Sequence, residues 1–195
     1  MNIFKGMMEF IMDILETVVF MGAMFIVIYL YVFQPNQVRG SSMLPTFEDK
    51  DYIFTSRLAY KLGEPKRGDV VVFRSPQNPD IEYIKRVVGI EGDKIKFTDC
   101  SLPNNVDCTV VVNGQPISEG YIKAKTQLFD NSMVAPDQEI TVPQKMLFVM
   151  GDNRPGSLDS RIFGPVDQDS IIGVVIVRYL PANKMGLIKN PFTTE

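Results

Sequence analysis

Seventeen consecutive residues without a charge, Thr17 to Phe33 (TVVFMGAMFIVIYLYVF), constrain this chain more than any other feature, and no charged residue follows until Arg39. As a helix the run spans about 25 Å, a little short of a roughly 30 Å hydrocarbon core, and it can extend upstream through Phe10, Ile11, Met12, Ile14 and Leu15. Tyr29 and Tyr31 stand where an interfacial belt is expected, and Pro35 is expected to stop the helix. A cleaved export signal would carry a basic start and a small-x-small site. Here Lys5 is outnumbered by Glu9, Asp13 and Glu16, and Phe33-Gln34-Pro35-Asn36 offers no such site. A buried core helix, which can also be apolar on every face, fits less well with a run of this length at the extreme N-terminus. The expected organisation is a short cytoplasmic segment over residues 1–16, a single transmembrane anchor over 17–34, and one domain over 35–195. Few Lys or Arg flank the span, so charge asymmetry barely orients it.

After Pro35 the pattern changes to short β-branched or aromatic runs separated by Gly, Pro, Asn and Asp. Strands are expected over Tyr52–Thr55, Val70–Phe73, Tyr83–Ile90, Lys94–Phe97, Thr109–Val112, Glu139–Val142, Met146–Met150 and Ile171–Val177. Asn113-Gly114 between two such runs is a tight-hairpin signal. One short helix is expected within Thr55 to Leu62. The fold class is therefore mostly β: an N-terminal transmembrane helix followed by a largely antiparallel β domain.

Composition enters the argument through what is missing. The chain has no histidine, which removes Ser-His-Asp and Cys-His mechanisms and His-based metal sites together. Cys100 and Cys108, the only cysteines, are too few for a structural zinc site. They flank a polar loop that a disulfide would close in an oxidising compartment, the alternative being two unpaired thiols. No metal and no cofactor is expected. A net charge of −3 without a basic block disfavours nucleic acid as a partner.

Without histidine, a serine nucleophile needs another base, and a lysine serves only when neutral. At an unperturbed pKa near 10.4 about one lysine in a few thousand is neutral at pH 7. Burial lowers that pKa by up to about 3–5 units. Lys85 lies in EYIKRVVGIEGD, where strand alternation puts Tyr83, Lys85 and Val87 on one face and Ile84 and Arg86 on the other. Ser42 lies in VRGSSMLPTF, where Gly40 permits an unusual turn and Leu44-Pro45 favours an extended course. A third segment, MGDNRPGSLDSRIFGP, gathers Asp152, Asn153, Arg154, Asp159 and Arg161 between apolar strands, and Asp159 with Arg161 is suited to a charge-assisted pair. Each segment alone also suits an ordinary solvated strand or turn.

Together they resemble the type I signal (leader) peptidases, bacterial Ser-Lys dyad serine proteases. The resemblance is carried by GSSMLPT (40–46), RGDVVVF (67–73), YIKRVVGIEGD (83–93) and MGDNRPGSLDSRIFGPV (150–166), in that order. It implies a β domain of signal-peptidase type with a hydrophobic surface near the membrane. It also implies an endopeptidase that removes N-terminal signal peptides from exported preproteins after small-x-small residues. Ser42 matches the nucleophile and Lys85 the general base. Ser157 matches the hydroxyl that orients the lysine amine, Asp159 and Arg161 the supporting pair, and Asp152 and Asn153 the supporting loop. Met43 and Ile84 are expected, by adjacency, to line the substrate pockets, and the Ser42 N–H to be one oxyanion donor. Gly40 stands where some members carry a serine whose hydroxyl is a second such donor.

The implied partners are preprotein signal peptides and membrane lipid. The implied location is the plasma (inner) membrane, single-pass, with the domain on the extracytoplasmic side. Three other readings share features: a specialised processing peptidase of the same superfamily, such as a conjugation-pilus type; a self-cleaving repressor domain, which needs a DNA-binding module where this chain has residues 1–34; and a membrane-tethered β adaptor, against which an intact Ser42, Lys85 and Ser157 argue.

Overall fold

The computed structural model of the chain describes residues 2–101 and 105–192. The side chains of residues 2, 3 and 28–31 lie outside that description, and with them the expected belt at Tyr29 and Tyr31. Leu102, Pro103 and Asn104 of the cysteine-flanked loop also lie outside it.

The uncharged run sits inside a longer helix, α1 (Asn2–Tyr31). Its stretch Phe4–Val27 is long and apolar enough to cross a membrane, and none of it is buried against the protein. The helix thus begins well before Thr17, because Phe10, Ile11, Met12, Ile14 and Leu15 continue its apolar surface. It ends before Pro35, and Phe33–Gln37 forms strand β1. Sequence inspection missed that strand because Pro35 removes a ladder donor. As the sheet's outer strand, β1 tolerates the loss.

The remaining strands follow in order: β2 (Tyr52–Ser56), β3 (Val70–Arg74), β4 (Glu82–Gly89), β5 (Lys94–Thr98), β6 (Thr109–Val112), β7 (Gln115–Pro116), β8 (Glu139–Thr141), β9 (Met146–Met150), β10 (Val166–Asp167), β11 (Ile171–Leu180) and β12 (Gly186–Leu187). Two short helices interrupt them, α2 (Ala59–Leu62) and α3 (Ser160–Phe163). The helix expected within Thr55–Leu62 is confined to its last four residues, since Thr55 and Ser56 complete β2.

The larger sheet runs β1-β2-β11-β3-β4-β9-β10, with β12 on β11, and the smaller runs β7-β6-β5-β8. Every strand pairing among the described residues is antiparallel. Asn113 and Gly114 have φ of 51° and 78° and join β6 to β7 with Val112 opposite Gln115. Those positive φ values are what a two-residue turn matching strand twist requires.

Strand β3 reads VVVF because it is covered on both faces. Val70 and Val72 pack with Val38, Met43, Phe47 and Ile53, while Val71 and Phe73 pack with Val87, Leu147 and Val149. A strand with two buried faces loses polar alternation. This doubly covered centre pairs along its length with β4.

Candidate active site

On β4, Lys85 and Arg86 leave the strand on opposite faces. Lys85 lies opposite Val71, and Arg86 opposite Val70. Beyond Arg86 the strand is paired with β9, beginning at Met150. There β9 ends and the chain turns away through Gly151, so Glu82–Lys85 has β3 on one side and no strand on the other. Lys85 is the last residue of that open stretch.

The amine of Lys85 donates to Ser42 Oγ at 2.8 Å and to the Ile84 carbonyl at 2.9 Å. Lys85 is only 4% exposed, and its Nζ lies 5.3 Å from the centre of the Tyr83 ring. Burial pushes its pKa down from 10.5 to about 8; the Asp159 and Asp152 charges oppose the shift and the Arg161 charge assists it. Roughly one amine in ten is then neutral at pH 7, against about one in a few thousand for a free lysine.

Ser42 reaches this point on a turn rather than on the extended course expected from Leu44-Pro45. Leu44 and Phe47 N–H groups bond back to the Ser41 and Met43 carbonyls, and the Leu44–Pro45 bond is cis. Gly40 takes φ +90°, a value at which a Cβ is strained. The Gly40 N–H is spent on Asp49 Oδ1. The Ser42 N–H donates to no group among the described residues.

The 150–161 segment fastens these two elements together. Asn153 N–H donates to the Ser42 carbonyl and its side-chain amide to the Ser41 carbonyl, both at 3.0 Å. Asp152 receives Arg86 Nε at 2.9 Å and Nη2 at 2.7 Å, and its second oxygen also accepts from Thr46 Oγ1. Asp159 and Arg161 form a second two-pronged pair, at 2.8 and 2.7 Å, with both side chains fully buried. Burial alone would raise the Asp159 pKa, but the Arg161 charge and hydrogen bonds, with the Gly151 N–H, hold it below the usual carboxylate range. Arg161 also donates to the Gln127 and Arg154 carbonyls.

Two expected placements differ. Ser157 is buried, yet its Oγ has no hydrogen-bond partner, and the Lys85 amine donates to Ser42 Oγ and the Ile84 carbonyl instead. It lies beside Asp159 without hydrogen-bond geometry. Met43 does not line a pocket: it is 1% exposed and packs with Val38, Phe47 and Ile53 in the core. Ile84 does line the cleft, a volume of ≈ 670 Å³ that also holds Ser42, Lys85, Val38, Tyr83 and Leu158. Cys100 and Cys108 are joined as a disulfide, which closes the connection between β5 and β6.

Sequence reasoning passed over the Arg86–Asp152 pair and the partners of Arg154, which are the Gly151 carbonyl, Glu119, Thr126 and the Tyr121 hydroxyl. The signal available was an arginine inside the apolar run of β4, since an arginine is seldom fully buried unless paired.

Comparison with known proteins adds independent findings. The family model described as "Signal peptidase, peptidase S26" matches residues 11–180. The chain is 30% identical to signal peptidase IB of Staphylococcus aureus (strain MRSA252) over 198 residues, covering 94% of this chain and 98% of that protein. It is 33% identical to signal peptidase I of Leptolyngbya laminosa over 168 residues, covering 83% and 75% respectively. A crystal structure of a signal peptidase I from Enterococcus faecalis V583 is similar at 33% identity and a TM-score of 0.43, covering 57% of this chain and 97% of that one.

Proposed function

Since the chain belongs to the signal peptidase family, peptidase S26, and is a signal peptidase enzyme, we propose that it cleaves exported preproteins with Ser42 as nucleophile and neutral Lys85 as general base. The observation that carries this is the 2.8 Å contact between a buried amine and a serine hydroxyl in an open cleft, in a chain with no histidine.

Lys85 Nζ takes the Ser42 proton as Oγ bonds to the scissile carbonyl carbon. The charge on the carbonyl oxygen is met by the uncommitted Ser42 N–H. Collapse breaks the C–N bond, and the proton on Lys85 passes to the leaving amine. Water, giving a proton to Lys85, then attacks the Ser42 ester; the C–O bond to Oγ breaks, Lys85 returns that proton to Ser42 Oγ, and the signal peptide is freed.

The substrate lies as an extended strand along the open edge of Glu82–Lys85, where β4 has no partner strand on its second side. Its alternate side chains face Ile84, Val38 and Leu158 in the cleft, and small residues are selected because larger ones do not fit. The enzyme is anchored by α1, single-pass, with the β domain on the extracytoplasmic side, where an oxidising environment sustains the Cys100–Cys108 bond.

A preprotein with Ala at the first and third positions before the cut, incubated with purified chain in vesicles, tests this. The proposal expects cleavage after the Ala, loss of cleavage when Phe replaces either one, and no cleavage by Ser42→Ala. Processing by Ser42→Ala at the normal rate overturns it.

A further inference from the structure

At the foot of α1 three cations converge without a carboxylate partner. Arg57, Lys61 and Arg74 line a cleft of ≈ 420 Å³, and among the described residues none of them forms an ion pair. Arg57 spends its Nε on the neutral side-chain oxygen of Gln34. Asp169 is the one carboxylate among the lining residues. The concentration of positive charge runs against the chain's net −3, so it is not a reflection of overall composition.

Its position relative to the helix is specific. The Arg57 N–H donates to the Val32 carbonyl at 3.1 Å, one residue beyond the end of α1 at Tyr31. The uncharged run continues to Phe33, and the next charged residue is Arg39. Arg57 therefore stands beside the point where the apolar anchor ends, at the membrane–water boundary. The cleft is formed where the C-terminal ends of β2 and β3 meet the start of β11, all at the end of the sheet from which α1 departs. Beside it, α2 buries none of its residues, and Leu62 is 82% exposed, offering an apolar contact next to Lys61.

We propose that Arg57, Lys61 and Arg74 form a binding site for the phosphate groups of anionic phospholipids, which seats the β domain on the bilayer at a fixed height. The proposal rests on the membrane anchoring proposed above. Guanidinium forks suit phosphate oxygens, and the lysine adds a point charge. Each basic residue at an anionic surface favours the bound arrangement about fivefold.

The test uses the full chain in vesicles. Because it contains no tryptophan, Leu62→Trp installs a single fluorophore beside the site. Its quenching by a headgroup-attached quencher is compared in phosphatidylcholine vesicles, in phosphatidylcholine–phosphatidylglycerol vesicles, and in phosphatidylcholine vesicles with inorganic phosphate added. Expected is quenching at least roughly twofold stronger with phosphatidylglycerol, abolished by Arg57→Gln/Lys61→Gln/Arg74→Gln, and no response to inorganic phosphate. The triple variant should cleave a short peptide in detergent at the unaltered rate, which verifies its fold. Equal quenching in the two vesicle types, or a preserved difference in the triple variant, overturns the lipid site while the chain still floats with vesicles. A full response to inorganic phosphate overturns the commitment to lipid. Failure to float with either vesicle type strikes the anchor itself and the site with it.

Discussion

Arg86 and Asp152 meet in a two-pronged ion pair, at 2.9 and 2.7 Å, with one partner next to the lysine in sequence and the other next to the residue that holds the Ser42 carbonyl. The pair joins β4 to the nucleophile turn at the point where β9 ends. It is almost wholly buried. Removing one partner leaves a charge without compensation. Asp152→Asn is expected to cost about 3–5 kcal/mol of stability, read as a fall of about 2–4 °C in melting midpoint per kcal/mol. The double variant Arg86→Met/Asp152→Leu should recover most of the stability and little of the activity, since it restores packing without the link to Thr46.

Gly151 has no space for a side chain. A Cβ there would press on Ser157 Oγ and lie 2.5 Å from the Ser42 carbonyl oxygen, so backbone carrying the nucleophile must shift. Displacement near 1 Å in an active site costs on the order of 10²-fold. Gly151→Ala should lower kcat by about that factor. A variant that cleaves at the wild-type rate would show that Ser42 tolerates movement.

Burial of Lys85 opposes its charged form, so the amine is a source of instability wherever the unfolded chain would protonate it. Its folded pKa of about 8 lies below the unfolded value of 10.5. Between those two values the unfolded state binds more protons, and stability rises with pH. The rise from pH 7 to 10 should be about 2–3 kcal/mol. Lys85→Met should lack this component, and be more stable than wild type near pH 7. Parallel wild-type and Lys85→Met stability curves across that range would contradict the assigned burial.

The chemistry assigned here needs neither metal nor imidazole. A chelator and a histidine-directed reagent should leave preprotein cleavage unchanged. Ser42→Ala should lower it by at least about 10³-fold with an unaltered melting midpoint. A chelator-sensitive rate would point to a metal-dependent step.

Much of this was legible in the residues because local and tertiary demands coincide. Thr109–Val112 and Met146–Met150 form strands over the expected residues, and Asn113-Gly114 makes the expected turn. Asp159 and Arg161, two residues apart, find each other as their spacing suggests. What escaped depends on distant parts of the chain. Thr46, Arg86 and Asp152 converge from three separate elements, and no period in the sequence links them. Met43 shows the opposite failure: adjacency to Ser42 suggested a pocket wall, but a turn at Ser41–Phe47 sends its side chain into the core. Ser157 sits near the expected site, yet which atoms the lysine amine reaches is set by its rotamer.

The central claim is that Lys85, once neutral, activates Ser42. The dependence of kcat/KM on pH for preprotein cleavage, measured for wild type and Lys85→Ala side by side, tests it most directly. The wild-type rate should climb with an apparent pKa of about 8, and Lys85→Ala should fall by at least about 10³-fold and lose the climb. A Lys85→Ala enzyme that keeps both the rate and the rising limb would contradict the assignment of the base.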